Sequence, residues 1–441
     1  MHIGIGNIVF IVILAAAVFI FAKRIGQIRG NINLGKDKDL SGNRAERWKT
    51  MMLVALGQSK MVTRPVAGIM HILIYVGFVI INIEVIEIII DGIFGTHRVL
   101  SFMGGFYDFL IGSFEILAMM VVLACVVFLI RRNIMHIRRF RLPEMKGWPK
   151  NDANLILVVE LLLMWAFLSM NAADYLLQER GVEHYAQAGS FPVSSLLAPL
   201  FEGFSDSGLV AYERSAWWFH IVGILAFLNY VPFSKHFHIF LAFPNTYYSN
   251  LEPKGKFSND ENVTKEVKMM MDPSADPYAG GEPDGELPSF GAKDVTDLTW
   301  KNIMDAYSCT ECGRCSSVCP ANITGKKLSP RKVMMDTRDR AEELGALVRK
   351  NGADYTDDNS LLGDNYISEE ELWACTTCNA CTDACPVNID PLNIIIELRR
   401  NLVMEQSKMP SELTTMTNNV QNNAAPWAFS QSDRLNWKDE A

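Results

Sequence analysis

Eight of the nine cysteines in this 441-residue chain fall into two identical patterns. Each pattern reads C-x2-C-x2-C-x3-C-P, within the stretches SCTECGRCSSVCPANI and ACTTCNACTDACPVNI. Cysteine thiolates bind soft metals and iron-sulfur clusters. Two four-cysteine zinc sites are an alternative, because zinc also accepts C-x2-C pairs. The eight cysteines are Cys309, Cys312, Cys315, Cys319, Cys375, Cys378, Cys381 and Cys385, and Pro320 and Pro386 close the two runs.

Three cysteines in register, followed by a fourth and a proline, resemble the run of two-cluster ferredoxins, in which each fourth cysteine binds the other cluster. The resemblance implies two [4Fe-4S] clusters. Their ligands would be Cys309, Cys312, Cys315 and Cys385 for the first cluster, and Cys375, Cys378, Cys381 and Cys319 for the second. The spacer between the runs is long, with helices predicted at about 329–349 and just before the second run. We therefore expect a helical ferredoxin-like domain.

Upstream of the cysteines, the chain contains apolar runs long enough to cross a bilayer. Residues 250–441 are polar and contain no such run, although the chain as a whole is 49% hydrophobic. The five apolar runs cover about 5–22, 66–90, 106–130, 153–176 and 215–242. We therefore predict a mainly α protein, a five-helix transmembrane bundle followed by a helical ferredoxin-like two-cluster domain. Its predicted parts are a five-span membrane domain over 1–245, a polar linker over 246–300, the two-cluster domain over 301–403, and a partner-docking or disordered tail over 404–441.

Lysine and arginine concentrate in the loops that follow the first and the third apolar runs. The positive-inside rule places such loops in the cytoplasm. An odd number of spans then puts the N-terminus outside and the iron-sulfur domain in the cytoplasm, in a multi-pass protein of the inner (cytoplasmic) membrane. A disulfide framework is disfavoured in that compartment.

Three histidines in the membrane half could bind a cofactor. His220 and His238 are 18 residues apart in the fifth run, which predicts rings on one face of a single helix. His71, near the start of the second run, lies at the predicted depth of His238. Helical bundles present axial haem ligands from facing helices, so this pair predicts a haem b. The alternative is that each histidine lies at the interface with nothing bound.

The stretch HIVGILAFLNYVPFSKHFHI and the five-span layout resemble the gamma subunit of respiratory nitrate reductase, a membrane cytochrome b. That family binds two haems between its second and fifth helices. By resemblance, His71 and His238 match the ligands of the haem nearer the cytoplasm, and His220 matches one ligand of the outer haem. Ile81 stands where the family has a second histidine, so the resemblance implies one haem b and leaves His220 without a partner.

Both cysteine runs and the stretch SPRKVMMDTR resemble the C subunit of heterodisulfide reductase and the iron-sulfur subunits of glycolate and glycerol-3-phosphate oxidases. Fusion of the two modules resembles the membrane electron-transfer proteins of the heterodisulfide-reductase and electron-transfer-flavoprotein:quinone oxidoreductase group. The usual companion there carries Cys-Cys-Gly motifs, which this sequence lacks. The resemblance thus implies a separate Cys-Cys-Gly iron-sulfur subunit or flavoprotein subunit on the cytoplasmic side.

Carboxylates within the apolar runs are costly in a bilayer and are candidates for proton or quinone chemistry. Glu84, Glu87 and Glu115 are predicted near the outer side, where they could form a quinone pocket or a proton path with His220. Glu160 is predicted in the cytoplasmic half. Placement at the interface is the alternative for such residues.

The sequence predicts a membrane-anchored electron-transfer subunit of the respiratory chain. It would pass electrons between a cytoplasmic redox partner, two [4Fe-4S] clusters, haem b and the quinone pool. No Gly-rich dinucleotide fingerprint or nucleophile with a base is present, so catalysis on an organic substrate by this chain alone is not expected, nor is a nucleic-acid partner. A redox-sensing membrane iron-sulfur protein without quinone turnover and a zinc-stapled scaffold are the alternatives.

Overall fold

The computed structural model describes residues 4–274, 289–352, 355 and 358–439. The described residues form α-helices joined by short 3-10 and π turns, and they contain no β-strand beyond two isolated bridges. Five helices long and apolar enough to cross a membrane precede a helical C-terminal domain. The predicted fold class is confirmed.

The N-terminal half contains eight α-helices within the described residues. They are α1 (Ile5–Ile32), α2 (Arg44–Met51), α3 (Pro65–Phe94), α4 (Gly105–Leu129), α5 (Trp148–Glu179), α6 (Ser194–Leu197), α7 (Asp206–Tyr230) and α8 (His238–Tyr247). The candidate spans are α1, α3, α4 with the π turn that follows it to Ile134, α5, and α7 with the 3-10 turn that follows it to Phe233.

The spans form a bundle in which α5 packs against α4 and α7, and α3 packs against α4. The first span, α1, lies against α3 and α7. Phe10 of α1 is buried with its ring centre 5.6 Å from that of Trp217. It fits because Gly92 has no side chain: a Cβ there would lie 2.6 Å from the Phe10 ring. Although α1 reads as a free anchor in the sequence, it is part of the bundle.

The fifth predicted span, 215–242, is not one helix. Its helix α7 ends at Tyr230, a 3-10 turn covers Val231–Phe233, and Ser234 is extended. A separate helix, α8, begins at His238. Pro232 explains the break, because proline has no N–H to donate and its ring clashes with the preceding turn. The prediction that His220 and His238 share one helix face is therefore wrong.

The C-terminal half contains nine α-helices within the described residues. They are α9 (Glu261–Met271), α10 (Trp300–Tyr307), α11 (Arg314–Val318), α12 (Pro320–Ile323), α13 (Pro330–Asn351), α14 (Glu369–Trp373), α15 (Ala380–Ala384), α16 (Pro391–Arg400) and α17 (Ser411–Asn423). The helix predicted at about 329–349 is α13, and the short helix before Cys375 is α14. The long helix α13 packs against α10 and α16 and provides the centre of the domain.

The predicted linker over 246–300 contains structured residues at both ends. Helix α9 lies in its first part, and Ala292, Val295 and Leu298 are buried in the core of the C-terminal domain. Residues 275–288 lie outside the described part of the chain. In the predicted tail, α17 and a 3-10 segment at Gln431–Lys438 contain no buried residue.

A buried ion pair joins the C-terminal domain to the bundle. Arg331 of α13 is fully buried and donates to Oε1 of Glu144, which lies between α4 and α5, at 2.7 Å. Ser329 donates to the same oxygen at 2.6 Å. Gly313 allows this approach, since its φ is +68° and a Cβ there would lie 2.5 Å from Arg331 Nη1. The stretch SPRKVMMDTR thus begins with the residues that hold the two halves together.

The bundle therefore has two distinct ends. The domain side is the end that contacts the C-terminal domain, through pairs such as Arg24 with Glu342 and Lys235 with Glu311. The far side is the opposite end, where Gly95 follows α3 and Ser205 caps α7.

Candidate functional site

The two cysteine runs fold into the same loop. In each run, the residue two positions after the first cysteine has a positive φ, as Glu311 (52°) and Thr377 (55°). So has the residue four positions after it, as Gly313 (68°) and Asn379 (63°). Two left-handed residues in one short loop turn the backbone around its own cysteines. Helices α11 and α15, which follow these loops, pack against each other.

The fourth cysteine of each run lies beside the other run. Burial raises the pKa of the Cys309 thiol to about 12, and Cys312 and Cys385 are close enough to add to this rise. Burial also raises the pKa of the Cys375 thiol, and the nearby Cys319 and Cys378 add to it. This is the crossed arrangement that the resemblance to two-cluster ferredoxins implies.

The chemistry of the thiols fits an iron-sulfur cluster. Buried thiols resist ionisation, and a bound metal supplies the positive charge that holds them as thiolates. Backbone N–H groups also point at sulfur, from Thr377 to Cys375 at 3.4 Å and from Ile389 to Cys385 at 3.3 Å. Among the described residues, no three His, Cys, Asp or Glu side chains converge as ligands of one metal ion. A [4Fe-4S] cluster has four irons, so its ligands need not converge on one point.

Three of the predicted histidines line one cavity inside the bundle. The cavity has a volume of about 430 Å³, and His71, His220 and His238 border it together with His236. The rings of His71 and His238 have their centres 6.2 Å apart. With metal–nitrogen bonds of about 2 Å and ring centres roughly 1 Å behind each nitrogen, two histidines on opposite sides of one metal are about 6 Å apart. The pair thus has the separation of two axial ligands.

The hydrogen bonds of this pair leave nitrogen lone pairs for a metal. Nδ1 of His238 donates to the carbonyl of Lys235 at 3.1 Å. That bond fixes the proton on Nδ1 and leaves the Nε2 lone pair free. Nδ1 of His71 is buried without a hydrogen-bond partner.

The same cavity extends from the cysteine loops to the interior of the bundle. At the domain side it is lined by Thr310, Cys312 and Pro386, so the first cluster site borders it. Its lining includes none of Cys319, Cys375, Cys378 and Cys381. Away from the cysteines, the cavity is bordered by His220, whose Nδ1 has no partner, and by Glu160. Ile81, which stands where the cytochrome family has a histidine, also lines it.

The other predicted carboxylates lie around a second cavity, at the far side of the bundle. This far cavity has a volume of about 290 Å³ and is lined by Glu84 and Glu87, and also by His97 and His184. Glu84 Oε2 is buried without a partner, whereas Glu87 accepts from the Leu100 N–H at 2.8 Å. The structure does not place His220 on the lining of this cavity.

A continuous chain of hydrogen bonds links Glu87 to Glu115. The hydroxyl of Tyr107 donates to Glu87 at 3.0 Å and accepts from Arg98 at 3.2 Å. Arg98 also donates to Asn171, which donates to Glu115 at 3.2 Å. Arg98 is buried as an ion pair with Asp174 at 2.6 Å. Sequence reasoning missed these partners, although polar Asn171 and Asp174 inside an apolar run were a signal.

Comparisons with known proteins agree on the C-terminal domain. Residues 308–389 match the family described as 4Fe-4S dicluster domain. The chain is 30% identical to the probable iron-sulfur-binding oxidoreductase FadF of Bacillus subtilis, over 98% of the chain and 61% of that protein. It is 27% identical to the EtfAB:quinone oxidoreductase of Syntrophomonas wolfei, over 90% of the chain and 54% of that protein.

A shorter relative covers one part of the chain. The probable membrane-anchored ferredoxin of Chromohalobacter salexigens is 30% identical over 35% of the chain and 25% of its own length. The chain thus spans less than two thirds of the length of these relatives. No solved structure matches it. The matches identify a 4Fe-4S dicluster domain on an apolar helical bundle, in an iron-sulfur electron-transfer protein of the oxidoreductase type.

Proposed function

We propose that this chain is the membrane-anchored electron-transfer subunit of a quinone-linked oxidoreductase. It would carry electrons between a cytoplasmic partner, two [4Fe-4S] clusters, one haem b and the quinone pool. The observation that carries the proposal is the cavity of about 430 Å³, which joins the His71 and His238 pair to Cys312. Clusters and haem each supply one-electron transfer when bound. The residues of the chain hold and order these groups.

The positions of the cysteines set the order of the two cluster sites. Cys312 borders the histidine cavity, whereas Cys378 is exposed on the surface of the domain. The site of Cys375, Cys378, Cys381 and Cys319 therefore faces the partner, and the site of Cys309, Cys312, Cys315 and Cys385 faces the haem. Crossed ligation keeps the two sites adjacent.

Support for the haem comes from the histidines. His71 and His238 have the separation, the burial and the free nitrogens of two axial ligands. The apolar lining of the cavity, with residues such as Ile74 and Phe128, suits a porphyrin. His220 faces Ile81 rather than a second histidine, which is why we propose one haem.

Quinone chemistry needs proton-exchanging groups beside a redox centre. Glu160 is the one carboxylate among the described residues that line the histidine cavity, and with His220 it provides polar groups at the end away from the clusters. Glu84 and Glu87 face the far cavity, where they would exchange protons with the far side. The EtfAB:quinone oxidoreductase is quinone-linked by name, which supports this part of the proposal.

The surroundings of the protein follow from the same proposal. Basic loops lie at the domain side, so we place that side in the cytoplasm and the N-terminus outside. The partner would be a flavoprotein or a Cys-Cys-Gly iron-sulfur subunit. The exposed Cys378 marks the surface it would meet, and the exposed aromatic residues Trp427, Phe429 and Trp437 of the tail are further contact points.

The test is a metal and haem analysis of the purified chain with one histidine variant. We expect about eight non-haem irons, four for each cluster, and one b-type haem by pyridine haemochrome. His71→Ala should abolish the haem and its dithionite difference spectrum while leaving the iron content unchanged. His136→Ala is the matched control, because His136 is exposed and does not line the cavity.

Each other outcome has a definite meaning. Iron without haem in the unaltered protein would remove the cytochrome half and favour the redox-sensor alternative. Zinc in place of iron would indicate the zinc-stapled scaffold. If haem is present, reoxidation of the reduced protein by a short-chain quinone tests the final step, and its absence would contradict the quinone link.

A further inference from the structure

Three arginines line the histidine cavity without an acidic partner. The domain-side end of α4 continues as a π turn at Ile130–Ile134, and a 3-10 turn at Arg138–Phe140 follows. Arg131, Arg132 and Arg139, which we call the arginine cluster, lie on these two turns and all border the cavity. Within the described residues, none of the three makes a salt bridge or a side-chain hydrogen bond. Nε of Arg132 and Nε of Arg139 are buried with no partner.

The other buried arginines of the protein are neutralised. Arg98 pairs with Asp174, and Arg331 pairs with Glu144. The acids nearest to the arginine cluster are already engaged, since Glu311 binds Lys235 and Arg338. A buried guanidinium without a counter-charge is costly. The cost at this site therefore points to an anion that binds between these side chains.

The cluster is held rigidly rather than free to swing into solvent. The guanidinium carbons of Arg132 and Arg139 lie 4.8 Å and 4.7 Å from the centre of the Phe140 ring. Cation–π contacts of this length fix both groups over the aromatic ring. Burial lowers the pKa of Arg139 to about 10, and the nearby positive charges of Arg64, Arg131 and Arg314 contribute. An arginine with that pKa is still charged at neutral pH, so the cluster concentrates positive charge at one end of an apolar cavity.

We propose that the arginine cluster binds the two propionate carboxylates of the haem held between His71 and His238. This inference rests on the proposed function, because it requires that haem. Haem is an apolar disc with two carboxylates on one edge. The cavity matches this pattern, with apolar side chains along its length and guanidinium groups at the domain side. Guanidinium groups bind carboxylates through paired, charge-assisted hydrogen bonds.

The arrangement also sets the orientation of the cofactor. The cavity lining at the domain side contains both the cluster and Cys312, and Arg132 and Arg139 lie close enough to Cys312 to interact with its charge. The propionate edge would then face the first cluster site, and the opposite edge would point toward His220 and Glu160. The arginine cluster thus acts as a positioning device between the cysteine loops and the axial histidines.

The test uses the full-length protein in detergent and the variants Arg132→Gln and Arg139→Gln, singly and together. Haem affinity is measured by titrating haem into chain prepared without it. Each single variant should raise the dissociation constant by about tenfold, the effect of losing one charge-assisted hydrogen bond. Arg141→Gln is the matched control, because Arg141 lies in the same loop but is exposed and does not line the cavity. Iron content and thermal stability identify a variant that has simply misfolded.

A second measurement distinguishes charge pairing from a structural role. Redox-difference infrared spectra with haem labelled at the propionate carboxyls report the ionisation of those groups. In Arg132→Gln and Arg139→Gln, the propionates should become protonated at higher pH and the haem midpoint potential should fall. Arg139→Lys should restore part of both, because it restores the charge.

The outcomes separate this inference from the proposed function. Unaltered protein that binds no haem removes the proposed function itself. Haem that binds equally well, with unchanged potential and infrared bands, in all arginine variants overturns the inference and leaves the proposed function intact. Loss of an anionic phospholipid from the variants in native mass spectrometry, with haem unaffected, would assign the cluster to a lipid phosphate and would also overturn it.

Discussion

Two glutamates in the far half of the bundle are both buried, yet their surroundings differ. Glu115 accepts hydrogen bonds from the N–H groups of Val193 at 2.9 Å and Ser194 at 3.0 Å, and from the amide of Asn171. Glu84 keeps one buried oxygen without any partner. A fully bonded carboxylate stabilises structure, whereas an unsatisfied one beside a cavity is available for proton exchange. Of the two, Glu84 is therefore the better candidate for function.

This difference predicts opposite effects for two matched variants. Glu115→Gln replaces an acceptor oxygen with an NH2 group that faces two backbone donors, so the bundle should lose about 1–3 kcal/mol of stability. Glu84→Gln introduces no such clash and should change stability little. Thermal unfolding of both variants in detergent measures the difference. Equal losses in the two would show that the hydrogen bonds of Glu115 are not its main contribution.

The sequence predicted individual residues best where spacing alone determines the chemistry. The two cysteine runs required no knowledge of the fold, because each loop supplies its own ligands. The placement of His71 beside His238 followed from estimated depth, and the structure brings those rings to 6.2 Å. Arg98 and its partners could not be foreseen. Their hydrogen bonds depend on how α3, α4 and α5 pack, and spacing within one helix carries no information on that.

At the scale of elements, the fifth span shows where periodicity fails. The apolar pattern continues through 215–242, so it gives one long helix. The structure instead has α7, two 3-10 turns and α8. Pro232 was the available signal, since proline inside a helical pattern ends or bends the helix. The break has a consequence for the site, because the turn at Lys235–Phe237 supplies the carbonyl that bonds Nδ1 of His238.

The joint between α13 and the loop before α5 is the element-scale feature most open to test. Burial by itself would raise the pKa of Glu144, but the charge and hydrogen bonds of Arg331 and Ser329 lower it. A carboxyl with a lowered folded pKa contributes stability above its unfolded pKa, and that stability is lost as the pH falls through the folded value. The joint is therefore expected to hold at neutral pH and to weaken in acid, below about pH 4.

Glu144→Gln should weaken this joint at neutral pH, because it leaves the buried Arg331 without a counter-charge. Breaking one side of a buried pair costs up to about 3–5 kcal/mol, and the retained amide oxygen makes a smaller loss the expectation here. Hydrogen exchange across 138–147 and the start of α13 reports the effect. The variant at neutral pH should resemble the unaltered protein in acid. Glu46→Gln, at an exposed pair with Lys49, is the control, and equal exchange in both variants would contradict the prediction.

Considered as a whole molecule, the protein is a helical bundle with a two-cluster domain bound to one end. Composition and periodicity sufficed for this architecture, since five long apolar runs and a polar C-terminal half leave few alternatives. The boundary between the halves was less accessible. Segment 289–300 reads as polar linker, yet Ala292, Val295 and Leu298 fill the core of the C-terminal domain. Only the packed partners, α13 and α16 among them, make those few apolar residues significant.

The order of centres across the molecule gives the last prediction. If the site containing Cys378 is the entry point, Cys378→Ser should remove the second cluster and stop electrons that arrive from a protein. Chemically reduced ferredoxin is a suitable donor, because it is too large to enter the bundle. A short-chain quinol reaches the haem from the membrane instead, so its reduction of the haem should be unaffected. Stopped-flow spectra of the haem with each donor measure both routes.

The control for this experiment is Cys125→Ser, which alters a buried cysteine of α4 that belongs to neither run. It should leave both routes at the rates of the unaltered protein. If Cys378→Ser loses its cluster and ferredoxin still reduces the haem normally, the first cluster site must itself be the entry point. The exposed position of Cys378 would then have no part in the route, and the partner would have to dock near Cys312 and the basic loops around it.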